Sequence, residues 1–153
     1  MRLLIYQPDI PQNTGAMLRT AACLGVGVDI VGPTAFDVSD RALRRAGLDY
    51  IPHVAFTRHA SWDQFLSVHR ANREAGRLIL LTTSGNQSLY DFSFRGTDVL
   101  IVGRESAGVP AHVHDVSDAR LRLPMIQGMR SLNVSVSAAI ALAEALRQTG
   151  RLP

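Results

Sequence analysis

Short apolar runs recur along this chain, and each gives way to a cluster of turn residues. Leu3 to Tyr6, Val28 to Val31, Leu78 to Thr82, Val99 to Val102 and Arg120 to Leu123 read as five strands. Unbroken Val/Leu/Ile runs of this length are what strands covered on both faces look like. Helical patterns fall between them. Residues 14 to 24 follow an Asn/Thr cap, Asp40 to Ala46 stops at Gly47, and Ser61 with Gln64 makes a capping-box pattern opening a helix that ends at Gly76. This alternation predicts an α/β fold with a mainly parallel sheet and helices on both faces. No repeat, low-complexity tract or linker interrupts it, so residues 1–153 are expected to form a single domain.

The last helix, from about Leu132 to Leu146, differs from the others. Val134, Val136, Ile140, Leu142, Leu146 and five alanines spread apolar character around most of its circumference. A helix on the surface of a monomer shows one apolar stripe. Burial on two faces therefore predicts packing on its own sheet and against a second subunit; a central core helix in a monomer gives the same pattern.

Composition narrows the chemistry. With 46% hydrophobic and 19% charged residues the chain is globular, and no apolar run approaches the length of a membrane span. Leu3 to Tyr6 is too short for a signal peptide, and a single cysteine, Cys23, cannot form an internal disulfide. A cytoplasmic protein is expected. Sixteen cationic residues against thirteen acidic ones leave a net charge of +3, and all sixteen are arginine. A P-loop lysine, a Schiff-base lysine and a lysine general base are thereby excluded. Arginine's planar fork suits phosphate, which makes the composition compatible with RNA, although drift of a GC-rich genome gives the same bias. Five scattered histidines and one cysteine form no metal-ligand spacing; His112 with His114 has only Asp115 and Asp118 nearby, so no metal is expected.

Three strand-to-helix junctions carry the candidate chemistry, in the place where α/β folds bind ligands. In the first, Pro8 and Pro11 stiffen the chain, Asn13 or Thr14 can cap the next helix, and Gly15 permits close backbone approach. Arg19 follows in that helix and can reach toward an anion at its N-terminus, or equally stand solvated on its face. In the second, Gly103 and Gly108 flank Glu105 in Gly103-Arg104-Glu105-Ser106-Ala107-Gly108, a loop able to present backbone groups to a ligand, with Pro110 at the first turn of a further helix. In the third, Leu123-Pro124 ends a strand, and Ser131 stands where a helix cap belongs, with Asn133 in the first turn. A buried amide at a helix start wants specific partners.

Taken together, Asn13-Thr14-Gly15 with Arg19, the Gly103 to Pro110 segment, and Leu123-Pro124-Met125 leading to Ser131-Leu132-Asn133-Val134 resemble the SPOUT superfamily of RNA methyltransferases. Within it they are similar to the small enzymes that methylate the ribose of the tRNA wobble nucleotide. The resemblance runs from about Met1 to Gly150. It implies a C-terminal trefoil knot, a homodimer through the last helix, and S-adenosylmethionine (SAM) held by Leu81, Thr82, Gly103, Glu105, Leu123, Ser131 and Leu132. It further implies catalytic roles for Arg19, Ser131 and Asn133, with tRNA, leucine isoacceptors foremost, contacted by Asn13 and Arg19. The segment Arg41 to Tyr50 also resembles the wobble-methylating enzymes, and Arg41, Arg44 and Arg45 at i, i+3 and i+4 make a cationic face for phosphates. Ala16, Arg104 and Leu132 depart from residues common in those enzymes.

Other readings are weaker. Gly25-x-Gly27 lacks the third glycine of a dinucleotide site, Ile30 standing in its place. A serine hydrolase built on Ser106 needs one residue after Gly103, and there are two. A 2'-O-methyltransferase for another tRNA or rRNA nucleotide, or a non-catalytic RNA-binding homologue, stays open at this stage.

Overall fold

A computed structural model describes residues 1–38 and 54–153. The expected Asp40 to Ala46 helix, with Arg41, Arg44 and Arg45, lies outside the described residues. Strands β1 (Arg2–Tyr6), β2 (Gly27–Val31), β3 (Phe56–His59), β4 (Leu78–Leu81), β5 (Gln87–Ser88), β6 (Val99–Val102) and β7 (Ala119–Arg122) form one sheet in the order β3-β2-β1-β6-β4-β7-β5. Every neighbouring pair is parallel. Helices α1 (Pro11–Cys23) and α4 (Val134–Gln148) cover one face; α2 (Trp62–Ala71) and α3 (Ala111–Val116) cover the other.

Side-chain alternation along the strands decides what each face receives. Leu3, Ile5, Val28, Ile30, Leu100 and Val102 pack with Met17, Leu18 and Ala21 of α1 and with Ala138, Ala141, Leu142, Ala145 and Leu146 of α4. Leu4, Tyr6, Val31, Leu80, Val99 and Ile101 meet Trp62, Phe65 and Leu66 of α2 and Val113 of α3. Each fully buried Leu or Ile here contributes about 1.5–3 kcal/mol relative to exposure.

The five expected strands are present, β7 beginning one residue earlier and ending at Arg122. Two more appear. β3 is an edge strand whose Thr57 and Arg58 face solvent, so it carries little apolar signal, and β5 has only two residues. The helix boundaries shift for identifiable reasons. Helix α1 starts at Pro11, the residue type best suited to a first helical position, with Ile10 before it and no side-chain cap. Asn13 and Thr14 are therefore inside the first turn rather than capping it. Ser61 does cap α2, accepting from the Gln64 N–H at 3.2 Å, while Gln64 Oε1 accepts from the Ala60 N–H. That helix ends at Ala71, short of Gly76. The Asn72 carboxamide takes the Glu74 N–H at 3.0 Å and turns the chain out. Gly76 has a different task, since a Cβ there would lie 1.7 Å from the Thr97 carbonyl oxygen.

Helix α4 starts at Val134, and its cap is Asn133 rather than Ser131. The Asn133 Oδ1 accepts from the N–H groups of Ser135 (2.8 Å) and Val136 (3.3 Å) and from the Ser135 hydroxyl (2.6 Å). The chain runs β1, β2, β3 to one side, then crosses to place β6 and β4 on the other side of β1. Such a reversal leaves a crevice beyond the carboxyl ends of the strands.

Candidate functional site

That crevice is occupied by a cleft of about 490 Å³, within the size range of small-molecule sites. Its floor and walls come from the ends of three adjacent strands and the loops after them. Leu80 to Thr83 come from the end of β4 and the loop after it, Val102 to Glu105 from the end of β6 and the loop after it, and Leu123 and Met125 from the loop after β7. Ser131, Leu132, Asn133 and the first turn of α4 close one end, and Ile10 and Asn13 contribute from the start of α1.

A chain of side-chain hydrogen bonds joins the three junctions. Asn13 Nδ2 donates to Glu105 Oε1 at 2.9 Å, and Asn133 Nδ2 donates to Asn13 Oδ1, also at 2.9 Å. Asn133 fixes its own orientation by capping α4, which leaves its amide free to point at Asn13. The second Glu105 oxygen accepts from the Asp9 N–H at 3.3 Å. Residues 92 and 120 positions apart in sequence are thus locked side by side.

The loop after β6 is narrow. The N–H and C=O of Arg104 bond the C=O and N–H of Gly108 at 3.1 and 2.8 Å. Gly108 has φ of +64°, and a Cβ on Gly103 would come within 2.6 Å of the Gly108 carbonyl carbon. Both glycines are therefore required by geometry. Partial burial, then the neighbouring Asp9 carboxylate, push the Glu105 carboxyl up from its ordinary value, opposed by the Asn13 amide. The Glu105 carboxyl, the Ser106 hydroxyl and two main-chain N–H groups hold Asp9 well below the usual range. Among the described residues lining the cleft, Arg104 is the cationic one.

Leu81, Thr82, Gly103, Glu105, Leu123, Ser131, Leu132, Asn13 and Asn133, all expected from the sequence, line this one cleft. Arg19 does not. It stands exposed on α1, six residues beyond Asn13. Sequence reasoning missed Ile10 and Ser137 in the lining, and Asp9 behind it. The Pro8-Asp9-Ile10-Pro11 turn was a signal of rigidity only; nothing local points Asp9 at a loop 96 residues away. Among the described residues no group of His, Cys, Asp or Glu can hold a metal ion, and no helix is long and apolar enough to cross a membrane.

A parallel sheet between two helical layers, with a cleft at the carboxyl ends of its strands lined by apolar side chains, main chain and a few short polar groups, defines a ligand-binding α/β protein. The particular lineage follows from comparison: the chain belongs to the SpoU rRNA Methylase family, which matches residues 1–143. It is 54% identical over 151 residues to the tRNA (cytidine(34)-2'-O)-methyltransferase of Beijerinckia indica, covering 98% of this chain and 92% of that protein. A solved structure concerned with the 2-OH methylation of C/U34 on tRNA superposes with a TM-score of 0.86 at 41% identity, covering 96% and 94% of the two chains. The AviRb methyltransferase of Streptomyces viridochromogenes in complex with AdoMet superposes at 0.87 with 29% identity, covering 97% of this chain and 57% of that one.

The residues present fit such a cofactor. Leu80, Leu81, Val102, Leu123 and Leu132 offer apolar surface for a purine, and Thr82, Ser131 and the main chain of the loops offer hydrogen bonds around it. The half-buried Glu105 adds negative charge beside the cleft, favourable to a cationic sulfonium.

Proposed function

We propose that this chain methylates the ribose 2'-oxygen of the wobble nucleotide of tRNA, cytidine or uridine 34, with SAM as the methyl donor. The observation that carries the reading is the Glu105-Asn13-Asn133 chain, which ties three distant loops around one cleft sized for a nucleoside cofactor. Near full-length identity to an enzyme named for that reaction supports the substrate. SAM, when bound, supplies a methyl group activated for in-line displacement. Leu81, Thr82, Gly103, Leu123, Ser131 and Leu132 hold it, Glu105 shapes the loop, and Asn133 and Ser131 orient the acceptor end of the cleft. Fixing donor and acceptor in line supplies most of the acceleration in such a transfer, because it removes the entropy of encounter.

Arg19 serves RNA rather than proton transfer. A guanidinium stays protonated, with a pKa above about 12, so it cannot serve as a base for a ribose hydroxyl. It binds the phosphate beside the acceptor and orients the hydroxyl. Arg19→Lys is expected to keep most turnover with weaker tRNA binding; lost turnover with tRNA binding intact would contradict the clamp. Arg41, Arg44 and Arg45 add further phosphate contacts.

The same reading makes the enzyme a cytoplasmic homodimer of a single domain, knotted at its C-terminus and paired through α4. What supports the pairing is the outer side of that helix, where Val136 is 47% exposed and Ala143 is exposed further along. Mass spectrometry of anticodon fragments from host tRNA, with and without the gene, tests the function. A 2'-O-methyl group is expected to vanish from nucleotide 34 of leucine tRNAs and to return with the intact gene but not with an Arg19→Ala copy. A methyl lost from another nucleotide instead would move the substrate.

A further inference from the structure

Asp9 lies behind the cleft and has no role in the reaction as described so far. Its carboxylate nevertheless accepts from the main-chain N–H groups of Glu105 (3.1 Å) and Ser106 (3.3 Å), and from the Ser106 hydroxyl. In return its own N–H donates to Glu105 Oε2 at 3.3 Å. We propose that Asp9 is a positioning residue for methyl transfer, clasping the 103–108 loop in the shape that walls the SAM cleft and turning the Glu105 carboxylate toward Asn13. The inference rests on the SAM reading above.

The loop's own bonds close its neck, between Arg104 and Gly108, and leave the tip without internal support. Asp9 supplies ionised acceptors for two successive tip N–H groups, making both hydrogen bonds charge-assisted. Asp9 is itself held from outside the loop. The residue two before it, Gln7, takes φ of +44°, rare for a non-glycine residue, with its N–H on the Val31 carbonyl at 2.8 Å and its side-chain amide on the Gly32 carbonyl at 3.3 Å. Pro8 between them is buried. The turn after β1 is thus set by β2, Asp9 projects from it, and the orientation passes through Glu105 to Asn13 and Asn133. The same contacts keep the carboxylate ionised at neutral pH, so it acts as a permanent acceptor.

The test compares Asp9→Ala and Asp9→Glu by three readouts. These are amide hydrogen exchange in the ligand-free chain, SAM affinity by calorimetry without RNA, and KM for SAM against KM for tRNA. In Asp9→Ala, exchange at Glu105 and Ser106 is expected to quicken about tenfold while β1 and β6 are unchanged. SAM binding should weaken by about tenfold, the loss of one to two charge-assisted hydrogen bonds. KM for SAM should follow while KM for tRNA stays within about twofold, and Asp9→Glu should recover most of the loss. Faster exchange with wild-type SAM affinity would make Asp9 a structural staple only and overturn the proposal, as would a Glu variant no better than Ala. Should Asp9→Ala fail to fold, Ser106→Ala at the exposed tip carries the test: SAM binding about threefold weaker supports the clasp, and unchanged binding overturns it. A wild-type chain that binds SAM but methylates no tRNA sinks the wobble reading and leaves the Asp9 result standing.

Discussion

The two ends of the same four strands, β1, β6, β4 and β7, are built on opposite plans. At their amino ends acidic side chains close the sheet. Asp98, 1% exposed, takes both nitrogens of the Arg77 fork at 3.0 and 2.8 Å and the Arg95 N–H at 2.8 Å, with Arg77 also 4.8 Å over the Phe92 ring. Asp118 accepts the Leu78 N–H at 2.7 Å, and the terminal ammonium meets the Gly96 carbonyl. At the carboxyl ends Glu105 lines a cleft with Asp9 behind it, and their hydrogen bonds run between loops. Ile126 and Met129 beside it are 83% and 65% exposed. One end spends its polar groups on the stability of the sheet, the other on the placement of a few atoms around a ligand.

Substitution at each end should separate these tasks. The largest stability effect is expected from Asp98→Ala, which strands a partly buried guanidinium and a main-chain N–H. About 3 kcal/mol of unfolding free energy should be lost in urea melts, with SAM affinity of the surviving fold little changed. At the other end Gly103→Ala drives a Cβ into the Gly108 backbone, so the loop must shift. It should cost about 1–3 kcal/mol and weaken SAM binding by calorimetry at least tenfold. If the two variants had the same ratio of stability loss to affinity loss, the division between the ends would be wrong.

Asn133→Ala acts on both tasks at once. Loss of the α4 cap should cost about 1 kcal/mol, while release of Asn13 should lower kcat on tRNA. Asn133→Asp keeps the cap acceptors and loses the amide donated to Asn13, so it should recover stability and not kcat; recovery of both would deny the Asn13 contact a role.

The smallest effect is a pH dependence. Asp9, lowered in the fold, adds stability that is present above its ordinary value of 3.8 and lost as pH falls below it. Glu105, raised in the fold, adds stability that is present below its ordinary value of 4.5 and lost as pH rises through its shifted value. Glu105→Gln should therefore be slightly more stable than wild type at about pH 7 in thermal melts, the gap closing as pH falls toward 4.5. A gap that widens toward acid would reverse the sign given to Glu105.

How much of this was legible before folding depends on the range of the interactions involved. The strands at the centre of the sheet are readable because burial on both faces demands continuous apolar runs, as in Val99 to Val102. β3 is not, since an edge strand with Thr57 and Arg58 in solvent needs no such run. The three loops of the cleft were visible through turn chemistry and family resemblance. The Ser61 cap was legible from its capping box, but the caps of α1 and α4 were not, because Ser131 and Asn133 are both competent caps and Asn13 and Thr14 look like caps beside Pro11. Asp9 was out of reach altogether: its partners are set by topology, and no local pattern encodes a contact across 96 residues.

The central claim, that the three tied loops form one site for methyl transfer to a tRNA ribose, is tested most directly by incubating the purified chain with methyl-labelled SAM and unmodified leucine tRNA and mapping the label. One methyl group on the 2'-oxygen of nucleotide 34, transferred more slowly by Asn133→Ala, is the predicted result. Label on a base, or none on tRNA that the chain demonstrably binds, would contradict the account.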